Sequence, residues 1–312
     1  WGDESSRTYY FIGKDNIPFH AIIWPAELHG VGEMFGKLFD EEEGLYLNLP
    51  YDVPANEFMN MEGKKISGSR NWMVDVLDFL SRYDPDPLRY YLTANMPETQ
   101  DSDWDWDDFV ARNNNVLVAA WGNLVNRVLS FAYKYWDGHI PTPGDTRPED
   151  QTILNKIDQG FDEIGKLYNK VKLRAALRES IKLTREVNKY LDEMAPWFEI
   201  KEDKQNAATT VYTALKAIDS IKLLLAPVLP FTCECLHHML GHSEPLFGEQ
   251  IVETHKDNLG EHKVLRYLSK QTNNIWKPSS LPSGMAFQKP KPLFQKLDEK
   301  IANEERQRLA NQ

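Results

Sequence analysis

Cysteine is nearly missing from this 312-residue sequence: only Cys233 and Cys235 occur. They are too close together to staple distant segments, so a disulfide scaffold is excluded and a reducing, cytoplasmic setting is expected. Long apolar runs are missing as well. The most apolar stretch, 218–231, is interrupted by Asp219, Lys222, Pro227 and Pro230, which leaves no candidate membrane span. An excess of positive charge is also lacking, since 36 Lys and Arg against 47 Asp and Glu give a formal charge of -11. A uniformly basic nucleic-acid coat is therefore ruled out, and any nucleic-acid contact must be local. No Ser/His/Asp order, dinucleotide fingerprint or Walker loop occurs in context. The run WDWDD at 104–108 reads as a helix start, not as paired catalytic carboxylates. Cys233, Cys235, His237, His238 and His242 form a cluster with metal-ligand chemistry, but no C-x-x-C pair accompanies them and Cys235 points away from the face that Cys233 and His237 share. No metal site is expected there. Trp1 to Glu4 form neither an initiator methionine nor a charged-then-apolar leader, so this end is expected to be cut from something longer.

What is present supports a globular chain. Hydrophobic residues at 41% and charged residues at 27% suffice for a core, and the length suggests about two domains. Residues 8–30 read as strand, tight turn, helix. Thr8 to Ile12 is an aromatic and β-branched run, Gly13 breaks it, Asp15 or Asn16 is the candidate cap, and Pro18 falls in the first helical turn. This is half of an α/β crossover. Ligands of such sheets bind at the turn after a strand's carboxyl end, which puts Lys14 and Asp15 in a place for chemistry; capping and solvating a helix is the plainer alternative. After an acidic run at 40–43, read as a solvated loop, a short apolar strand is expected over 45–49.

Glu62-Gly63 signals a turn, and residues 64–70 pack three cations among Gly63, Ser67, Gly68 and Ser69 before a helix that Asn71 is placed to cap. Small residues admit close backbone approach, while lysines, hydroxyls and a helix N-terminus supply positive potential, so a polyphosphate is the natural guest. Flexible surface loops share this composition.

From about residue 108 the pattern turns helical. Leu117, Trp121, Leu124, Val128, Phe131 and Tyr135 mark one buried stripe that Asp107 or Asp108 starts and Gly138 stops. Leu154, Ile157, Phe161, Ile164, Tyr168 and Val171 mark a second, and further helices run through Leu177, Ile181, Val187 and Leu191 and through Val211, Leu215, Ile218, Ile221 and Leu225. Short breaks between them predict an antiparallel helix bundle. Beyond Gly241 the pattern thins into a tail, with a last amphipathic helix suggested by Phe294, Leu297 and Ile301. On the first bundle helix Asn126, Ser130 and Lys134 fall four apart and form a polar line able to read an exposed base edge, although a solvated helix face has the same spacing. Trp197 follows Pro196 at a helix junction, where it either stacks an unpaired base or packs in the core.

Order and context carry more than any single motif. FIGKDNIPFHAIIWPA, GKKISGSRNW, DPDPLRYYLTANMPETQD, FVARNNNVLVAAWGNLVNR, DEMAPWF and LAPVLPF follow one another, and together they closely resemble the methionyl-tRNA synthetases, a class I aminoacyl-tRNA synthetase family, over most of residues 8–240. By that resemblance, Lys65-Ile66-Ser67-Gly68-Ser69 stands where the family has its KMSKS signature, the mobile loop that binds ATP and stabilises the pyrophosphate leaving group. Lys65 matches the first signature lysine. The second is replaced by Gly68, so Arg70 or Lys64 is the candidate substitute cation. Gly13, Lys14 and Asp15 match the turn beside the nucleotide, and Phe19, His20 and Trp24 match the helix lining the methionine side-chain pocket, a setting suited to an apolar, polarizable thioether. Trp197 matches the anticodon-stacking tryptophan, while Ser130 and Lys134 match the positions that read the first anticodon base, where other members carry Asn and Arg.

The resemblance implies a fold in two parts, α/β plus all-α. Residues 1–107 would be the C-terminal part of a Rossmann-like catalytic domain with signature loop and linker, and 108–312 a helical anticodon-binding domain with a tail. It implies a methionine-tRNA ligase with tRNA(Met), methionine and ATP as partners, Mg2+ accompanying ATP as substrate, and neither DNA nor a membrane. The family's HIGH signature and its zinc-bearing insertion are not in this sequence. They are expected before residue 1, and the chain alone is expected not to activate methionine. A non-catalytic tRNA-binding module is the rival from another class; a leucine, valine or cysteine synthetase is a further rival, against which the FIGKD and APW contexts argue.

Overall fold

A computed structural model of the chain describes residues 5–38, 47–257, 260–269 and 276–310. The described residues fall into two compact units, one taking those up to Met73 together with Asn95–Asp105 and those from Arg308, the other taking Val74–Ala94 and Trp106–Gln307.

In the first unit, the short strands β1 (Ile12–Gly13) and β2 (Ala55–Asn56) pair in parallel. The strand expected over residues 8–12 is regular only at its end because its partner contains Pro54. Tyr10 and Ile12 N–H groups donate to the Asp52 and Pro54 carbonyls at 3.0 and 3.1 Å, but Pro54 has no N–H to return, so the ladder is interrupted. The strand expected over 45–49 is not formed at 47–49; residues 45 and 46, like the acidic run at 40–43, lie outside the described residues. β3 (Met59–Met61) runs antiparallel to β4 (Lys64–Lys65) and parallel to β5 (Ser102–Trp104). The β3–β4 turn is the expected one, with Glu62 and Gly63 both left-handed at φ 48° and 71°, the two-residue geometry that matches strand twist. β1 leads into a 3-10 turn (Lys14–Asn16), a wide π turn (Phe19–Ile23) and α1 (Trp24–Leu38). Neither Asp15 nor Asn16 caps this run. Gly13 is the extended residue ahead of it, with no side-chain cap bond.

The second unit is a helix bundle. α2 (Val76–Leu80) and α3 (Pro85–Ala94) precede α4 (Trp106–Arg112), which continues through a π stretch (Asn113–Gly122) into α5 (Asn123–Tyr135); then come α6 (Pro148–Asn169), α7 (Leu173–Met194), α8 (Pro196–Glu199), α9 (Lys204–Leu225) and α10 (Pro230–Met239). α9 is the central element. Val211, Leu215, Ile218, Ile221 and Leu225 are buried along it, and it packs against α5, α6, α7, α8 and α10. The α2 cap is Asp75, whose side chain accepts from Asp78 N at 2.8 Å; Asn71 instead takes a left-handed φ of 50°. The first apolar stripe is buried from Leu117 to Val128 and only half-buried at Phe131 and Tyr135, and on α6 the core residue is Ile153 instead of Leu154. Gly138 does stop the helix, at φ 69°, with its N–H on Tyr133 O at 3.0 Å.

The DPDPLRYYL segment staples the bundle. Asp86, fully buried, accepts from Thr232 N and Thr232 Oγ1 at 2.7 and 2.6 Å, satisfying the start of α10. Arg89 donates to the carbonyls of Val228 and Pro227 at 2.9 and 3.0 Å. The tail is not pattern-free. β6 (Glu249–Asp257) and β7 (Gly260–Leu268) form a long antiparallel hairpin. Phe294 and Leu297 precede α11 (Lys300–Ala310) and are not part of it. Phe294 joins the bundle core, and the Asn113 and Asn114 amides donate to the carbonyls of Gln295 and Leu297 at 3.0 and 2.8 Å.

Candidate functional sites

In the first unit the turn after β1 and the β4 strand converge on one ring. Lys14 Nζ lies 4.6 Å and Lys65 Nζ 5.8 Å from the centre of Phe58. Lys14 also pairs with Glu57 and reaches Asp101 at 3.6 Å. The Glu57 hydrogen bond, opposed by a smaller burial effect and aided by Asp101, holds the Lys14 ammonium above the ordinary lysine range. Asp15 is exposed beside it.

Downstream of Lys65 the chain closes on itself. Ser67 and Trp72 exchange N–H···O bonds at 3.0 Å in both directions, the hydroxyls of Ser67 and Ser69 lie 3.2 Å apart, and Gly68–Arg70 forms a single 3-10 turn. Trp72 Nε1 donates to Met61 O at 3.0 Å and Lys64 Nζ lies 4.5 Å over the Trp72 ring, so Lys64 is directed to that ring. Lys65, Ser69 and Arg70 are exposed. On the helical side, His20 Nδ1 donates to Asn16 O at 3.1 Å, Trp24 Nε1 donates to Tyr10 Oη at 3.2 Å, and the Tyr10 and His20 rings are 5.7 Å apart. Tyr10, which the sequence reading missed, thus joins His20 and Trp24, whereas Phe19 is 56% exposed.

In the second unit, Trp197 sits on α8, a four-residue helix that cannot hold itself in place. Ala195, left-handed at φ 42°, turns the chain out of α7 and Pro196 starts α8. A part-buried network then fixes the helix. Arg147 donates to Glu199 Oε1 at 3.1 Å, to Asp150 through Nε and Nη2 at 3.0 and 3.1 Å, and to Thr210 Oγ1. Tyr190 also donates to Asp150. Burial alone would raise the Asp150 carboxyl, but the Arg147 and Tyr190 hydrogen bonds outweigh it and leave it below its usual range.

Trp197 is half-buried against the core, and the Arg127 guanidinium lies 4.6 Å from its ring centre. Arg127 lies one turn before Ser130 on α5, and its guanidinium brings that helix to the Trp197 ring of α8. Ser130 Oγ faces Asn126 Oδ1 at 3.5 Å. Ser130 and Lys134 are exposed, Lys134 with its Nζ 5.0 Å from the Tyr135 ring centre.

The histidine-rich helix end enters a different arrangement from the cysteine-centred one. Asp219 of α9, His237 and His242 bring one ligand atom each within 4.8 Å of one another. The Lys222 ammonium lies among them, 2.5 Å from Asp219 Oδ1 and 2.7 Å from His237 Nδ1, and supplies a cation to the cluster. Burial, reinforced by the Lys222 charge, pushes His237 down to about 3. Asp219, which burial alone would raise, is held well below the carboxylate range by the His242 hydrogen bond and the Lys222 charge.

Residues 1–129 match the model of the family described as tRNA synthetases class I (M), and residues 140–265 match the anticodon binding domain of methionyl tRNA ligase. These two matches, over the α/β unit and the helix bundle, place the chain among the class I aminoacyl-tRNA synthetases. It is 54% identical over its full length to a methionine–tRNA ligase of Thermomicrobium roseum and 46% identical over 99% of its length to one of Roseiflexus castenholzii, covering 52% and 50% of those proteins. Within that class, the chain belongs to the methionyl-tRNA synthetase family. A solved Mycobacterium tuberculosis methionyl-tRNA synthetase bound by methionyl-adenylate superposes with a TM-score of 0.72 at 25% identity, over 94% of this chain and 50% of that one. The chain spans about half the length of the curated relatives it matches.

Proposed function

We propose that this chain contributes the signature loop and the tRNA-reading bundle of a methionine-tRNA ligase, with residues 1–107 serving the catalytic part and 108–312 the anticodon. The reaction has two steps. Methionine carboxylate attacks the α-phosphate of ATP, giving methionyl-adenylate and pyrophosphate, and the terminal ribose hydroxyl of tRNA(Met) then takes the methionyl group. The nucleophiles belong to the substrates, so the protein orients reactants and spreads charge over the phosphates. Mg2+ enters with ATP. Lys65 and Lys14, brought to one ring, would hold the triphosphate, with Ser67, Ser69 and Arg70 completing the loop and Gly13 and Asp15 the turn. Tyr10, His20 and Trp24 would flank the thioether, with Phe19 closing over it.

The observation that supports the reading is the Arg127 guanidinium of α5, one turn from Ser130, over the Trp197 ring; on this reading the polar line and the ring serve one surface. A looped-out base stacks on the ring, an interaction worth about 1–3 kcal/mol, while Asn126, Ser130 and Lys134 bind its edge and backbone. Gel shift of tRNA(Met) against the same tRNA with its CAU triplet changed tests this. Selective binding is expected; equal affinity for both defeats it.

No HIGH sequence occurs in the chain, which favours a second reading as a tRNA-binding module without catalysis of its own. Pyrophosphate exchange on mixing the chain with the N-terminal half of a methionine-tRNA ligase decides between the two: restored exchange is expected on the ligase reading, and none on the module reading, while exchange by the chain alone overturns both.

A further inference from the structure

Arg127 is not part of the polar line of α5, yet it makes the contact that joins that helix to Trp197. Its side chain is one-third exposed and its partner Asp192 two-thirds exposed, at 3.2 Å, an ion pair of the kind that holds weakly. Its Nε and Nη2 donors are buried and meet no hydrogen-bond acceptor among the described residues. A guanidinium with unmet donors on an aromatic face is poorly satisfied. Trp197 packs partly against the core, so an incoming base has to compete with Arg127 for the ring.

Resting on the anticodon-loop reading above, we infer that Arg127 covers Trp197 in the free chain and transfers to an RNA phosphate when a base takes its place on the ring. A phosphate offers the bidentate acceptor pair that the ring and Asp192 do not. The exchange leaves both surfaces occupied before and after binding. It assigns Arg127 as a phosphate ligand of the loop and Asp192 as the anion that holds it back.

The test is the affinity of the full chain for a fluorescent CAU anticodon stem-loop, measured across salt concentrations. Loss of one phosphate contact to a single strand lowers the slope of log K against log salt by about 0.7, so from 50 to 200 mM salt the wild type loses about 2.6-fold more affinity than Arg127→Ala. Arg127→Lys keeps the wild-type slope, and Trp197→Ala loses affinity with the slope unchanged. Asp192→Asn tightens binding roughly two- to fivefold, and that gain vanishes in an Arg127→Ala background. Arg127→Gln is the second neutral variant should the alanine form fail to fold by circular dichroism. A wild-type slope in both neutral variants, or an Asp192→Asn gain that survives without Arg127, overturns the inference. A wild-type chain that does not distinguish CAU from a changed triplet defeats the anticodon reading itself, a separate outcome.

Discussion

Lys14 and Lys65, far apart in the sequence, hold their ammonium groups over the same Phe58 ring. Two like charges at one place are unfavourable without an anion, and here Glu57 and Asp101 supply it by binding Lys14. A triphosphate would compete with those carboxylates. Glu57→Gln is therefore expected to tighten Mg–ATP binding severalfold, measured by isothermal titration, because it removes an anion from the phosphate side. Unchanged or weaker binding would show that Lys14 does not reach the phosphates.

On the proposed reading, Lys65 and Arg70 divide the loop's two cationic roles. In the complete enzyme, Lys65→Ala is expected to lower adenylate formation by about 10²–10³-fold, the usual loss for one donor aimed at developing phosphate charge. Arg70→Ala is expected to impair it as well, because on the proposed reading Gly68 stands where the second signature lysine would be and Lys64 is directed to the Trp72 ring. Normal pyrophosphate exchange in Arg70→Ala would remove Arg70 from that role.

These sites were legible in unequal degree. Glu62-Gly63 announced its turn because left-handed backbone has a residue preference, and the helices announced themselves through their apolar spacing. The β1 ladder was over-read, since Pro54 removes a donor from a partner strand that the pattern of residues 8–12 cannot reveal. The hairpin of β6 and β7 was invisible because it exposes apolar residues such as Val252 and Leu265, which blurs the alternation of a half-buried strand. Arg127 was missed because it lies beside the polar line, and its partner ring comes from a distant helix. The Asp219 cluster was missed for a similar reason: its carboxylate and its histidines lie on separate segments.

Arg147 and Asp150 position α8 without being placed at its surface. Asp150 is fully buried, so Arg147→Ala leaves an uncompensated carboxylate and is expected to cost about 3–5 kcal/mol in chemical denaturation. Glu199→Gln removes only the partly exposed arm of the network and is expected to cost about 1 kcal/mol or less. It should still weaken stem-loop binding, because α8 is short and Trp197 depends on its anchor. Unaltered affinity in Glu199→Gln would show that Trp197 is held by the core alone.

The cluster of Asp219, Lys222 and His237 makes the bundle sensitive to acid. His237 titrates near its ordinary 6.5 when unfolded but is pushed down to about 3 when folded, so the unfolded chain binds the proton more readily. Its contribution to stability is complete above pH 6.5 and declines as pH falls towards 3, by about 1.4 kcal/mol per pH unit. Asp219 is shifted in the same direction from 3.8 and adds its own loss only below about that pH. Denaturation midpoints measured from pH 7.5 to 2.5 are therefore expected to fall from pH 6.5 downward. His237→Gln, which retains an acceptor for Lys222 but cannot be protonated in this range, should flatten that decline while leaving Asp219's lower limb in place. An identical acid limb in the variant would assign the sensitivity to other groups.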